Sequence, residues 1–132
     1  MGFFDFFGKK DGSNQPSETK TLPWTVLQTM DQLEAITEAS KEKPVVIFKH
    51  STTCGISRMV LRNFENSYEI PEGKINLYYL DLLAHRDISN EIAIRFQVIH
   101  QSPQILIIKN GSAVHHASHY NAQASDILQF VN

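Results

Sequence analysis

The chain is poor in cysteine: Cys54 is the only one among 132 residues. A single cysteine excludes an intrachain disulfide framework and a zinc site built from several cysteines. A lone thiol in a chain long enough to build its own core is more typical of a reducing compartment than of secretion. We therefore expect a cytoplasmic protein.

The chain also has no strong excess of one charge and no long apolar run. The formal net charge is −2, so the sequence offers no basic excess for binding nucleic acid, and we expect no such partner. No apolar run approaches the roughly 20 residues that span a bilayer. The hydrophobic share of 42% is enough for a packed core, and the length favours one domain.

The first 21 residues differ from the rest. The start, MGFFDFFGKKDG, has lysines after its phenylalanines rather than before them, and Phe6 stands where a myristoylation signal has a hydroxyl residue. Residues 8–21 are polar and rich in glycine and serine. We predict a disordered tail and linker over residues 1–21 and a folded domain over 22–132. Weak membrane contact by residues 1–7 is an alternative that we do not favour.

The remaining sequence alternates helical and strand patterns. Helices are predicted over 29–43, 55–68, 86–98 and 121–131, and strands over 44–50, 75–83 and the two runs that flank Asn110-Gly111, with an extra strand near 24–27. Strands joined through a helix should run parallel, and the Asn-Gly hairpin must be antiparallel. The expected fold class is therefore α/β: three α/β/α layers, a mixed central sheet of four to five strands and about four helices.

Several polar residues precede the predicted helices and are candidate N-caps. Thr29 or Asp31 is expected to cap the first helix, Thr52 or Thr53 the second, and Asp87 the third. The second of these helices matters most, because its cap lies beside the only cysteine.

Cys54 lies between a buried strand and the start of a helix. The first-turn amides of such a helix favour a thiolate over a thiol, and Lys49, His50 and Arg58 can add positive potential. Gly55 leaves room for a bulky disulfide to approach. The alternative is a small buried filler, but the polar flanking residues are poor lining for a core. We therefore predict a reactive nucleophile.

The Ser102-Pro103 pair directly precedes the strand ILII. A proline at the start of a strand often serves only as punctuation, because it lacks the ladder donor. Its place after the third helix favours a second interpretation, a cis peptide bond that presents the Ser102 backbone beside the thiol. An extended disulfide-bearing substrate could then pair with that backbone.

The stretches KHSTTCGIS, HQSPQ and KNG resemble the YtxJ-type monothiol bacilliredoxins of the thioredoxin-like superfamily, over residues 24–131. Cys-Gly-Ile-Ser stands where relatives with two thiols have Cys-x-x-Cys, so Ser57 replaces the resolving cysteine. Many relatives have proline at the position of Gly55. The resemblance implies that Cys54 attacks and that Ser102 and cis-Pro103 form a substrate platform. The supporting active-site turn would consist of Thr53, Gly55, Ile56 and Ser57.

The resemblance also implies a function: removal of bacillithiol, or a related low-molecular-weight thiol, from S-thiolated client proteins. The small thiol would be a co-substrate, and no further cofactor is implied. With no second cysteine the cycle must be monothiol, and a second thiol or another reductant must free Cys54. We expect a monomer. The alternative is a non-catalytic thioredoxin-like module for binding or redox sensing.

Histidines suggest a competing metal site. His115, His116 and His119, with His50 or His100, are of a type that binds metals. On a strand, however, His115 and His116 point to opposite faces and cannot easily share one ion. We therefore do not favour a metal centre.

Overall fold

The computed structural model describes residues 22–131, so the predicted tail and linker over 1–21 lie outside the described residues. The strands are β1 (Thr25–Val26), β2 (Val45–His50), β3 (Asn76–Asp81), β4 (Gln104–Lys109) and β5 (Ser112–Ser118). The α-helices are α1 (Met30–Ala39), α2 (Gly55–Ser67) and α3 (Arg86–Phe96). Two 3₁₀ helices, His119–Asn121 and Ala124–Phe130, follow β5.

The five strands form one mixed sheet in the order β1-β3-β2-β4-β5. β1, β3 and β2 are parallel to one another, whereas β4 runs antiparallel to both β2 and β5. This arrangement confirms the predicted sheet, including the short extra strand. It also makes β2, which leads into the cysteine, the central strand.

Side chains of β2 alternate between two cores, because successive residues of a strand point to opposite faces. Val45 and Ile47 belong to the core that includes the buried residues of α1 and α3. Val46 and Phe48 belong to the core on the other face, with α2 and the second 3₁₀ helix. The sheet is therefore covered on both faces, which gives the predicted three layers.

The hairpin between β4 and β5 has the predicted two-residue turn. Asn110 and Gly111 both have positive φ, 54° and 80°, which a type I′ turn requires and which these two residue types tolerate. The Gly111 N–H donates to Ser40 Oγ at 2.8 Å, so the turn is also tied to the end of α1.

Two predictions about helix ends are wrong. α3 is capped by His85, whose carbonyl accepts from the Ser89 N–H at 3.1 Å, so Asp87 lies inside the first turn instead of capping it. The C-terminal segment, predicted as one helix over 121–131, forms the two 3₁₀ helices instead. Its backbone bonds, such as Ala122 N–H to His119 O at 3.1 Å, join residues three apart.

Thr29 caps α1 through a capping box, one of the two predicted alternatives. Its Oγ1 accepts from the Gln32 N–H at 3.3 Å, and the Gln32 side chain accepts from the Thr29 N–H at 3.0 Å. Replacing Thr29 by alanine should lower the free energy of unfolding by about 1 kcal/mol. Urea denaturation of Thr29→Ala measures this loss, and Thr29→Ser, which keeps the acceptor, should recover most of it.

Candidate functional site

The cysteine lies at the junction of β2 and α2, as predicted. Cys54 is the N-cap of α2, with extended backbone angles (φ −102°, ψ 122°). Its carbonyl accepts from the Arg58 N–H at 3.1 Å, the first bond of the helix, and its own N–H donates to Ser51 O at 3.2 Å. The backbone therefore holds the thiol at the point where the strand turns into the helix.

The predicted hydroxyl cap is absent from this turn. Thr52 and Thr53 are exposed and precede the first helical carbonyl, so neither caps α2, and that prediction is wrong. The half-buried Cys54 side chain accepts no capping hydrogen bond from the first-turn amides. The first-turn amides of α2 therefore give the Cys54 sulfur no hydrogen bond in this geometry.

The residues that flank the thiol leave it open to a partner. Thr53 and Gly55 are exposed, and the Ile56 side chain is 43% exposed. A Cβ added at Gly55 would meet only the Arg58 guanidinium, at 4.0 Å. A partner that approaches Cys54 therefore meets the apolar side chain of Ile56 and finds no side chain at Gly55.

Ser57 is fully buried, although it lies in the first turn of α2. Its Oγ lies 2.8 Å from His50 Nδ1 and accepts a hydrogen bond from the Ser51 N–H at 3.1 Å. Ser57, which stands at the position of a resolving cysteine, therefore links the end of β2, the following turn and α2 through its side-chain hydrogen bonds.

His50 is the last residue of β2 and is buried on the α2 face. Burial lowers the pKa of His50; the Asp81 carboxylate opposes this shift, Arg58 adds to it, and a hydrogen bond with the Ser57 backbone opposes it. The imidazole should consequently be neutral near pH 7. The link between His50 and Ser57 was missed at the sequence level, although strand alternation does place His50 on the same face as Phe48.

The Ser102–Pro103 peptide bond is cis, which confirms that part of the prediction. Pro103 immediately precedes Gln104, which pairs with Lys49 in antiparallel register. The cis bond and the turn that carries Cys54 therefore lie at the same end of the sheet. Pro103 is buried, Ser102 is half-buried, and their role as a substrate platform stays a prediction.

Beneath this end of the sheet lies a buried polar pair that sequence reasoning did not identify. Lys49 and Gln104 are cross-strand neighbours, so their side chains share the α3 face. Gln104 Nε2 donates to Ile99 O at 3.0 Å, whereas Lys49 Nζ and Gln104 Oε1 are buried without a hydrogen-bond partner. Burial lowers the pKa of Lys49 to about 8. Burial lowers the pKa of His100, and the positive charges of Lys49 and Arg86 lower it further.

The remaining histidines have other contacts. His115 Nε2 lies 3.3 Å from Asp126 Oδ2, and its ring packs on Phe130 at 5.6 Å between centroids. Within residues 22–131, no group of three or more His, Cys, Asp or Glu side chains is arranged to hold a metal ion. Over the same range, no helix has both the length and the apolar character needed to cross a membrane.

The chain matches a protein-family model and resembles solved structures. The family model described as monothiol bacilliredoxin BrxC matches residues 25–127. A solved structure described as a proposed oxidoreductase with a thioredoxin fold is 34% identical, with a TM-score of 0.65. That alignment covers 79% of this chain and 89% of the other.

More distant structures share the fold. Thioredoxin from Malassezia sympodialis is 23% identical with a TM-score of 0.64, over 88% of this chain and 94% of its own. Thioredoxin NaTrxh from Nicotiana alata is 19% identical with a TM-score of 0.66, over 90% of this chain and 100% of its own. These likenesses confirm the predicted thioredoxin-like α/β/α architecture.

Proposed function

Because the chain belongs to the monothiol bacilliredoxin family of thioredoxin-fold proteins, we propose that Cys54 removes a low-molecular-weight thiol from S-thiolated proteins. Bacillithiol is the thiol that the family description suggests. The observation that carries the proposal is a single half-buried thiol at the β2–α2 junction, at the same end of the sheet as a cis-proline. We propose further that the reaction takes place in the cytoplasm and that the protein acts as a monomer.

The proposed cycle needs no second cysteine. The Cys54 thiolate attacks the small-thiol sulfur of the mixed disulfide; that S–S bond breaks, and the client leaves as a thiolate. Cys54 then holds the small thiol as a new disulfide. A second small-thiol thiolate attacks the same small-thiol sulfur, so that a symmetrical disulfide leaves and Cys54 is regenerated.

A client protein carrying one bacillithiol mixed disulfide tests this proposal by intact mass spectrometry. The native protein should gain the mass of one bacillithiol while the client loses it, because the transfer conserves the small thiol. Cys54→Ser, which has no thiol, should gain nothing and leave the client modified. A parallel reaction with a glutathione-modified client measures preference for the small thiol. Equal loss from the client with Cys54→Ser would contradict the proposal.

A second candidate function is a non-catalytic module that binds partners or senses oxidation. The observation that favours it is the absence of capping hydrogen bonds to the Cys54 side chain, which leaves the thiol without that means of activation. Such a module should retain client binding in Cys54→Ser and should transfer no small thiol. Measuring client binding and transfer side by side separates the two functions.

A further inference from the structure

Arg58 lies near the start of α2, and its guanidinium extends back over the turn that carries Cys54. Its Nη1 donates to Thr52 O at 3.3 Å, two residues before the cysteine. A Cβ at Gly55, the residue after the cysteine, would lie 4.0 Å from Arg58 Nη2. The guanidinium therefore contacts the chain on one side of Cys54 and approaches it on the other.

The charge of Arg58 is not neutralised by a neighbouring carboxylate. Within residues 22–131, no ion pair includes Arg58, and the first turn of α2 has no acidic residue. The nearby Asp81 carboxylate is occupied, since its Oδ1 accepts from the amides of Leu83 and Ala84 at 3.2 and 3.3 Å. The bond to Thr52 uses one of the five N–H donors of the guanidinium, so donors remain for a ligand.

The surface around this cation is open. Arg58 is exposed, and the side chains of Ile56 and Met59 are 43% and 42% exposed. A small molecule that reaches Cys54 therefore meets an unpaired guanidinium and apolar side chains on the same stretch of α2. This combination suits a short aliphatic chain that ends in a carboxylate.

We propose that Arg58 binds a carboxylate of the small thiol while Cys54 attacks its sulfur, so that the site prefers low-molecular-weight thiols that carry a carboxylate. This role rests on the proposed function, because it names the class of small thiol that the same cysteine takes. The planar guanidinium binds a carboxylate through two parallel N–H···O bonds. A short thiol acid has few bonds between its sulfur and its carboxylate, so one molecule can reach both groups.

The proposed contact is separable from a general effect of the charge. A cation beside a cysteine favours the thiolate, which speeds its reaction with every disulfide alike. Binding of a carboxylate adds only to the reaction with disulfides that carry one. The preference among disulfides, rather than the absolute rate, therefore measures the contact with Arg58.

Three small symmetrical disulfides test this preference without a client: the anionic dithiodipropionate, the neutral hydroxyethyl disulfide and the cationic cystamine. In each reaction the Cys54 thiolate attacks one sulfur, the S–S bond breaks, one half stays on Cys54 and the other leaves as a thiolate. Intact mass spectrometry follows the adduct. Arg58→Gln should lower the rate with dithiodipropionate, relative to that with hydroxyethyl disulfide, by about fivefold, the size of one exposed ion pair. Arg58→Glu should shift the preference towards cystamine.

Arg62→Gln is the matched control, because Arg62 is a second exposed arginine one turn further along α2. Its rate ratio should equal that of the native protein. Raising the salt concentration to about 1 M, where the Debye length is about 3 Å, should lower the native ratio. If Arg58→Gln slows the reaction with all three disulfides alike, Arg58 acts only on the thiolate and the proposal is overturned. An equal fall of the ratio in Arg62→Gln would also overturn it.

A client protein that carries one mercaptopropionate or one mercaptoethanol as a mixed disulfide separates this role from the proposed function. If the small disulfides show the expected preference but no small thiol leaves either client, the proposed function fails and the role of Arg58 stands. If native protein and Arg58→Gln remove both small thiols with the same rate ratio, the proposed function stands and the role of Arg58 fails.

Discussion

Replacing Lys49 by methionine should raise the free energy of unfolding at pH 7 by about 3 kcal/mol. Lys49 is fully buried in the central strand, and its Nζ has no hydrogen-bond partner. Burial lowers its pKa from 10.5 to about 8, which means that folding disfavours the charged form. Methionine keeps an unbranched apolar side chain and removes the cost of burying an ammonium group.

The same shift predicts how stability depends on pH. Between pH 8 and 10.5 the unfolded chain retains the Lys49 proton and the folded chain has lost it, so the free energy of unfolding rises with pH through this window. Lys49→Met has no such group. The difference between the variant and the native protein should therefore be largest below pH 8 and disappear above pH 10.5.

Urea denaturation at intervals from pH 7 to pH 10.5 measures both effects. Lys41→Met is the matched control, because Lys41 follows the end of α1, is exposed and pairs with the exposed Glu38. It should change stability by less than about 1 kcal/mol at any pH. A destabilised Lys49→Met would show that the ammonium has a partner in solution, such as the unpaired Gln104 Oε1 across the strand pair.

The parts of the fold that depend on local pattern were predictable. Asn110-Gly111 fixes a two-residue turn because both residues accept positive φ, and the apolar runs on either side then pair in antiparallel register. The position of Cys54 between strand and helix followed from the change of hydrophobic period around it. Likewise, the cis bond at Pro103 was predicted from its place after the third helix, directly before a strand.

The polar contacts of the site were not predictable, because they depend on register between distant segments. Nothing local pairs Lys49 with Gln104, and the burial of both follows from β2 lying between β3 and β4 with helices on each face. The bond between His50 and Ser57 depends on how closely α2 packs on the strand. The caps of α2 and α3 were misjudged for a related reason: Cys54 and His85 provide the first helical carbonyls, although neither is a favoured cap residue.

Ser57→Cys should convert the protein from a monothiol to a dithiol enzyme. Position 57 is three residues after the N-cap Cys54, and side chains at this spacing have Cβ atoms about 5–6 Å apart, which small rotations can bring within disulfide range. A thiol donates and accepts hydrogen bonds more weakly than a hydroxyl, so His50 should hold it less firmly than it holds Ser57. The new thiol is therefore free to attack Cys54 once Cys54 carries the small thiol.

In that attack, the bond between Cys54 and the small thiol breaks, the small thiol leaves as a thiolate, and a disulfide joins positions 54 and 57. With a bacillithiol-modified client, Ser57→Cys should end without an adduct, lighter by two hydrogen atoms, and with bacillithiol free in solution. Native protein and Ser57→Ala should both retain the adduct. A Ser57→Cys protein that keeps the adduct beside an unreacted thiol would mean that side chains at position 57 stay turned towards His50 and cannot reach the Cys54 sulfur.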